Sequence, residues 1–504
     1  MKTLRKTKII CTMGPAVDDL DKLKQLLAAG MNIARFNFSH GVHEDHAKRI
    51  ALVRRASEET GIPVALLLDT KGPEIRTGLI KDDGKITLEN GKTIILTSDE
   101  VDGTAERISI SYKTLPQEVR AGNHILVADG LVDLEVVSTD ARNITCLIKA
   151  GGVLGSRKNV NVPGVKTKLP AITDKDVQDI LFGIQQNMDF IAASFIRKHT
   201  DVLEIQSILA EHRSPIRVIA KIEDQEGLDN IDEIIRVSYG IMVARGDLGV
   251  QLPPEAIPLA QKRIIATCTM AFRPVITATQ MLESMINNPQ PTRAETNDIA
   301  NAIFDGTDAV MLSGETANGK YPVRAVETMN NVALTIESSE EYKKRCKEYF
   351  FMHSETRDIS EAVCRSASLM ASDIGASAMI TPTLRGNTPR LISSYRPEDK
   401  VIAATTNETV ARQLLLHWGV FPNQTQFLND SELMIQNAIS QSLQNELVQK
   451  LDRVVTVAGI PLNSPMMINT VKVHFLGNIL GRGARGVGKQ CSGKITKAAN
   501  AAEA

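Results

Sequence analysis

Residues Arg217–Gly227 read RVIAKIEDQEG, a short apolar run that hands over abruptly to ionisable side chains. Side chains alternate along a strand, so Lys221 and Glu223 leave it on one side while Ala220 and Ile222 leave it on the other. A cation and a carboxylate are thereby presented together at the strand's C-terminal end. A second run, Ile241–Gly249 (IMVARGDLG), brings Asp247 to the end of its own strand after a tight Arg-Gly turn. Two carboxylates from different strands, with a lysine beside them, suit a hard divalent ion and a phosphorylated substrate. Taken alone, Lys221 with Glu223 also fits a structural ion pair, and Asp247 a turn residue.

Outward from this stretch the same pattern repeats. Apolar runs ending in polar or small residues occur at 8–14, 31–40, 63–72, 189–198, 217–224, 240–247, 273–280 and 309–316, most of them separated by segments of helical spacing such as DDLDKLKQLLAAG (18–30). Eight strand-helix units predict an α/β fold, a (β/α)8 TIM barrel with its chemistry at the strand C-termini. Polar residues ending every strand on one side are hard to explain by packing. The rhythm breaks between the third and fourth strands, where KITLENGKTIILTS, NHILVADGLVDLEVVS and NITCLIKAG alternate with Gly and Asp turns. This predicts a small β domain inserted at the active-site side, a placement that suits a lid. After about Ser338 a second α/β unit follows, with helix 359–376, strand SAMITP, a loop, strand KVIAATT, two helices and the strands DRVVTVAG and TVKVHFL. The expected domains are 1–69 with 166–338 for the barrel, 70–165 for the lid, 339–476 for the C-terminal unit and 477–504 for a flexible tail.

The 504 residues are too many for one ordinary core, and a formal net charge of -1 gives no electrostatic case for nucleic acid or an anionic membrane as partner. Six cysteines, at 11, 146, 268, 346, 364 and 491, show neither CxxC pairs nor His clusters, which argues against zinc and against a disulfide framework. The N-terminus runs straight into a strand pattern without an apolar stretch long enough for a signal peptide or membrane span, so a cytoplasmic enzyme is the expectation.

Two further words carry chemistry. In ARFNFSHG, residues 34–41, alternation sets Arg35, Asn37 and Ser39 on one side of the strand, with His40 following. In DTKGPEIRTG, residues 69–78, stand Asp69, Thr70, Glu74 and Arg76. Oxygens of Asn37, Ser39, Asp69 and Thr70 suit a monovalent cation, and Arg35 and Arg76 can clamp phosphoryl oxygens bidentately. With AKIED, MVARGDLG, ITATQMLESM and TRAETNDIANAIFDGTDAVMLSGETA, these words make the chain resemble the pyruvate kinase family over about residues 5 to 475.

That resemblance implies a barrel with an inserted β-barrel domain and a C-terminal α/β effector domain, and phosphoryl transfer from phosphoenolpyruvate to ADP. It implies that Glu223 and Asp247 bind Mg2+ or Mn2+ and that Lys221 stabilises the phosphoryl group in flight and the enolate left behind. Gly246, Asp247 and Thr279 would hold the substrate carboxylate, Arg35 the phosphoryl group, and Asn37, Ser39, His40, Arg76 and Lys158 would surround the nucleotide, Lys158 from the lid. Asn37, Ser39, Asp69 and Thr70 would form a K+ site, whose need for K+ follows from Glu74, because relatives with Lys there tend to do without potassium. Ser313 and Glu315 would belong to a water network near the carbon to be protonated, and the proton donor is open between the Thr279 hydroxyl and a water held by Ser313. A homotetramer is implied as well.

In the C-terminal unit the family's sugar-phosphate loop is commonly Ser-Gly-x-Thr-Ala-Arg, and here Arg385, Gly386, Asn387, Thr388, Pro389 and Arg390 stand instead. Thr388 as N-cap with Pro389 at the first helical position predicts a helix start favouring an anion, so a sugar-phosphate or nucleotide effector at Arg385, Gly386, Asn387 and Thr388 is expected. The tail contains GRGARG (481–486) and GARGVGK (483–489), but Gln490 replaces the Ser or Thr of a P-loop and too little chain follows for a dinucleotide fold. It is similar to the opening of the phosphohistidine-type domain that some bacterial pyruvate kinases carry. Two rival functions remain: a metal-dependent pyruvate or phosphoenolpyruvate lyase on the same barrel, and a catalytically silent metabolite sensor. Lys158 and the Arg35 and Arg76 pair speak against a lyase, which has no second phosphate chain to hold.

Overall fold

The structure, a computed structural model, describes residues 4–81, 84–352, 358–426, 428, 430–460 and 467–477. The expected tail beyond Gly477, with its glycine-rich words and Cys491, lies outside the described residues. Each of the eight apolar runs forms a strand: β1 Lys8–Thr12, β2 Ile33–Asn37, β3 Ala65–Asp69, β4 Phe190–Ala193, β5 Arg217–Ile222, β6 Gly240–Ala244, β7 Val275–Ala278 and β8 Ala309–Leu312. Among the described residues these eight close into one parallel barrel, each strand paired with its sequence neighbours and β1 with β8. Strands covered on both faces are apolar along most of their length, and KIICT, ALLLD, GIMVA and AVML are buried at every position, including the polar Lys8, Thr12 and Asp69 at strand ends. Helices between them start where side chains satisfy the free amides: Asp19 caps Leu20–Ala29, and Thr173 and Thr292 make capping boxes with Asp176 and Glu295.

Between β3 and β4 the chain leaves the barrel to build the inserted domain. Among the described residues its main sheet has seven strands, in the order Ile75–Arg76, Asn159–Asn161, His124–Val127, Val132–Thr139, Asn143–Ala150, Thr93–Thr97 and Arg107–Ser109. Ile94, Leu96, Ile108, Ile125, Leu134 and Ile144 enclose a core of its own. The inserted segment is therefore a packed domain, not a long loop.

The chain divides into two compact units, Thr7–Ile336 and a second formed by Glu337 onward with the residues up to Lys6. The expected barrel domain included the N-terminus; Lys6 instead serves the second unit, where its amine donates to the carbonyls of Pro397 and Glu398 and lies 4.9 Å above the Trp418 ring. In that unit, among the described residues, five strands run in the order Val420–Gln424, Lys400–Thr405, Ala378–Pro382, Arg453–Ala458 and Thr470–Phe475, the last antiparallel to its neighbour. Three details differ from the sequence reading. The helix Glu340–Met352 and the strand Val420–Gln424 were not expected, and a helix, Asn387–Ser394, occupies much of the loop after SAMITP. That helix starts two residues earlier than predicted: Gly386, at φ 79°, is its N-cap, so Thr388 is the second helical residue and Pro389 the third. A backbone at positive φ favours glycine, and Thr383 Oγ1 accepts the Gly386 amide, so no cap by Thr388 is needed. No helix of the described residues is long and apolar enough to cross a membrane.

Candidate active site

β5 ends at Ile222, which makes Lys221 its penultimate residue and Glu223 the first beyond it; both are buried. Lys221 Nζ lies 2.8 Å from Glu223 Oε1 and 3.0 Å from Asp69 Oδ1, and it donates to Ser194 Oγ at 2.7 Å. The ends of β3, β4 and β5 thus meet on one amine. On its other side Asp69 accepts Arg35 Nε at 2.7 Å, and Arg35 Nη1 donates to Thr12 Oγ1 at 2.8 Å. Glu223 Oε2 accepts the Phe195 amide at 2.5 Å, and the Asp247 carboxyl is near enough for its charge to act on both Glu223 and Lys221. Lys221, Glu223 and Asp247 therefore form one cluster at the barrel mouth, with Arg35 and Asp69 joined to it.

Its electrostatics are unbalanced in an informative way. Burial pushes Glu223 up to about 8 even though Lys221 opposes the shift, and the charge of Asp247 adds to it. Asp247 is raised as well, first by desolvation, although its residue keeps an accessible face toward the cleft. For Lys221 burial works downward, but the carboxylates of Asp69, Glu223 and Asp247 outweigh it and hold the ammonium charged. Asp69 likewise resists desolvation because Arg35 and Lys221 flank it, and stays below the usual carboxylate range. Two adjoining carboxyls that hold their protons too tightly are relieved by a cation that replaces the shared proton, and the open face of Asp247 leaves room for further oxygen ligands. The donor set of Glu223 and Asp247, all oxygen, fits a hard divalent ion.

The second oxygen set differs in charge. Asn37 and Asp69 are register partners on β2 and β3; Asn37 Oδ1 accepts the Ser39 amide at 3.1 Å, and Thr70 Oγ1 the Ser194 amide at 3.1 Å. The charge of its single carboxylate, Asp69, is already shared by Arg35 and Lys221, so the set fits a monovalent rather than a divalent cation.

Thr279 closes the site from β7. Its φ of 69° is unusual for a β-branched residue, and Gln280 follows at 55°. The turn is held from below by Arg245, which donates to the carbonyls of Ala278 at 3.2 Å and Thr279 at 2.6 Å and pairs with Asp298 at 2.7 Å. Strain of this kind persists where the surroundings enforce it. Thr279 Oγ1 accepts the Gly246 amide at 2.7 Å, at the start of the helix Arg245–Gln251, and donates to the Ala278 carbonyl at 2.6 Å. Ser313 and Glu315 follow β8; Glu315 is fully buried and accepts the amides of Ser313 at 2.7 Å and Leu282 at 3.0 Å.

The remaining predicted residues lie along the rim. Arg76 is paired with Glu74 at 2.6 Å and donates to the Arg157 carbonyl at 2.9 Å, while Lys158, paired through its backbone with Thr77, is exposed. His40 is exposed, its carbonyl accepting His46 Nε2. A cleft of about 210 Å³ between lid and barrel is lined by Pro73, Glu74, Asn161, Phe195, Asp247 and Gln251, and the Gln251 amide reaches Asn161 across it at 3.1 Å. Arg385, Gly386, Asn387 and Thr388 belong to the other unit, with Arg385 and Asn387 exposed. Sequence reasoning missed Ser194, Thr12 and Arg245. Ser194 and Thr12 carry a weak signal, each being a polar residue that ends or follows an apolar run.

Two family profiles match the chain: "Pyruvate kinase, barrel domain" over residues 4–326 and "Pyruvate kinase, alpha/beta domain" over residues 361–474. It is 50% identical over 508 residues to a pyruvate kinase of Geobacillus stearothermophilus, covering 99% of this chain and 85% of that one. Identity to a pyruvate kinase of Bacillus licheniformis is 47%, covering 99% and 86%. The crystal structure of a pyruvate kinase from Cryptosporidium parvum superposes with a TM-score of 0.89 at 42% identity, covering 94% of this chain and 96% of that chain.

Proposed function

The chain belongs to the pyruvate kinase family, a family of phosphotransferases, and we propose that the cluster around Lys221 transfers the phosphoryl group of phosphoenolpyruvate to ADP. The lyase and silent-sensor alternatives find no support in these comparisons. One observation carries the reading: the Lys221 ammonium lies 2.8 Å from Glu223 and 3.0 Å from Asp69, with the charge of Asp247 acting on it as well.

A terminal oxygen of ADP attacks phosphorus, the bond from phosphorus to the enol oxygen breaks, and the enolate that leaves takes a proton at its methylene carbon to give pyruvate. Transfer of this kind asks for positioning and charge neutralisation rather than a covalent intermediate. Lys221 and Arg35 face the charge that builds on the phosphoryl and enolate oxygens. The Gly246 and Asp247 amides and Thr279 orient the substrate carboxylate, for which the Gly246 amide exchanges its bond to Thr279 Oγ1. Glu223 and Asp247 would hold Mg2+ or Mn2+, which supplies Lewis-acid neutralisation of phosphoryl charge when bound. Asn37, Ser39, Asp69 and Thr70 would hold K+. Arg76 and Lys158 line the nucleotide phosphates, with His40 at the rim, and the lid excludes water. Because the Thr279 hydroxyl is already committed to the Ala278 carbonyl, a water held near Ser313 is the favoured proton source. Glu315 acts through the loops it braces.

The helix start at Arg385–Thr388 is the proposed site of a sugar-phosphate or nucleotide effector, and a homotetramer in the cytoplasm is the proposed setting. A lactate-dehydrogenase-coupled assay with ADP, Mg2+ and K+ tests the activity. Pyruvate should form only when phosphoenolpyruvate and ADP are both present; formation without ADP would instead identify hydrolysis and sink the transfer reading.

A further inference from the structure

The helix Asp174–Gln185, the first after the lid, buries two aspartates, Asp176 and Asp179, that no step of the reaction uses. They stand one turn apart and so share a face. Buried carboxylates demand compensating donors, and the choice of donors here is specific. Asp179 accepts His43 Nε2 at 2.7 Å and Lys175 Nζ at 2.5 Å, and the same ammonium donates to the Phe38 carbonyl at 3.0 Å. The His43 ring stacks on Phe182 of the helix at 4.4 Å. The segment Phe38–His43, which carries Ser39 and follows Asn37, is thus pinned to the helix at both ends. Asp176 accepts the Gly72 amide at 3.0 Å and, through its other oxygen, the Thr173 amide at 2.9 Å. Gly72 stands two residues after Thr70, in a left-handed conformation (φ 70°) where an added Cβ would lie 2.8 Å from the Phe195 ring. One helical face therefore grips both halves of the monovalent-cation set, Asn37 with Ser39 and Asp69 with Thr70. In the chain, Gly72 precedes the first strand of the inserted domain and Thr173 follows its last.

We infer that this helix is a brace that fixes the spacing of the two K+-bearing loops, with Asp179, Lys175 and His43 as positioning residues for the ion; this rests on the K+ assignment above. Groups that orient metal ligands without touching the metal typically weigh about tenfold in affinity. Lys175 and the His43 ring are partly exposed, unlike the Asp179 carboxylate they serve.

The test compares the parent with Lys175→Met, His43→Ala and His43→Gln in two titrations with KCl, choline chloride holding ionic strength constant. One follows the rate, the other the rise in Tm without substrates, a measure of ion binding alone. Lys175→Met and His43→Ala should need about tenfold more K+ for half-effect in both readouts. Their KM for phosphoenolpyruvate and kcat at saturating K+ should stay at the parent's values. His43→Gln, whose amide nitrogen can replace Nε2, should recover the parent's K+ response. Variants that lose Tm in the absence of K+ yet keep the parent's K+ half-points would overturn the brace and leave the K+ site standing. A parent that responds to K+ in neither readout would overturn the K+ assignment and the brace together.

Discussion

At the scale of single residues, the site separates groups that face substrate from groups that hold others in place. Glu315 belongs to the second kind. Its carboxylate is fully buried and spends both oxygens on backbone amides, of Ser313 and Leu282, so it ties the loop after β8 to the segment after β7. Glu315→Gln keeps one acceptor and turns an NH2 toward the other amide, a mismatch that costs about 1–3 kcal/mol. Urea unfolding of the barrel unit should show that loss, and kcat should fall much less than on removal of a group that faces the phosphoryl oxygens. Such braces are poorly legible in a sequence. Lys221, Glu223 and Asp247 announce themselves as charges at the ends of apolar runs. Arg245 sits among them as one more charge, and nothing in the sequence says that its guanidinium turns inward to hold the Thr279 turn. The left-handed backbone of Thr279 itself goes against its β-branched side chain and is invisible before the structure.

At the scale of elements, the segment joining β3 to the lid concentrates function. Glu74 pairs with Arg76 at 2.6 Å and lies 3.8 Å from Lys71. Glu74→Lys should place a fixed ammonium near the oxygens proposed for K+, and the ratio of rates with and without KCl, at constant ionic strength, should fall toward unity. A ratio equal to the parent's would separate Glu74 from cation dependence. The barrel strands were legible because a strand covered on both faces is apolar along most of its length, with polar groups gathered toward its C-terminal end. The strand Val420–Gln424 escaped because Pro422 and Asn423 weaken it; it lies at the sheet edge, where a proline is tolerated. The helix Glu340–Met352 escaped because EEYKKRCKEYFFM is charged through most of its length and offers only a narrow apolar stripe. The start of Asn387–Ser394 was misplaced by two residues because the cap is a positive-φ glycine rather than a hydroxyl side chain.

At the scale of the whole chain, stability and catalysis respond to different charges. In the second unit, burial pushes Asp399 up to about 7 against the pull of Lys6, with Glu398 adding to the rise. A carboxyl whose folded pKa exceeds its unfolded value near 4 favours the fold below about pH 4 and gives up that contribution as pH rises through its folded value. Asp399→Asn should therefore gain Tm relative to the parent progressively from about pH 4 to about pH 7 and keep that gain above, by calorimetry, with no such change below about pH 4.

The proposed phosphoryl transfer instead rests on the cluster in which Glu223 and Asp247 stand beside the ammonium of Lys221. The most direct measurement is kcat of Lys221→Met with phosphoenolpyruvate, ADP, Mg2+ and K+ all saturating. Loss of one preorganised electrostatic partner predicts a fall of about 10²- to 10³-fold with KM for phosphoenolpyruvate little changed. A variant that turns over as fast as the parent would contradict the account.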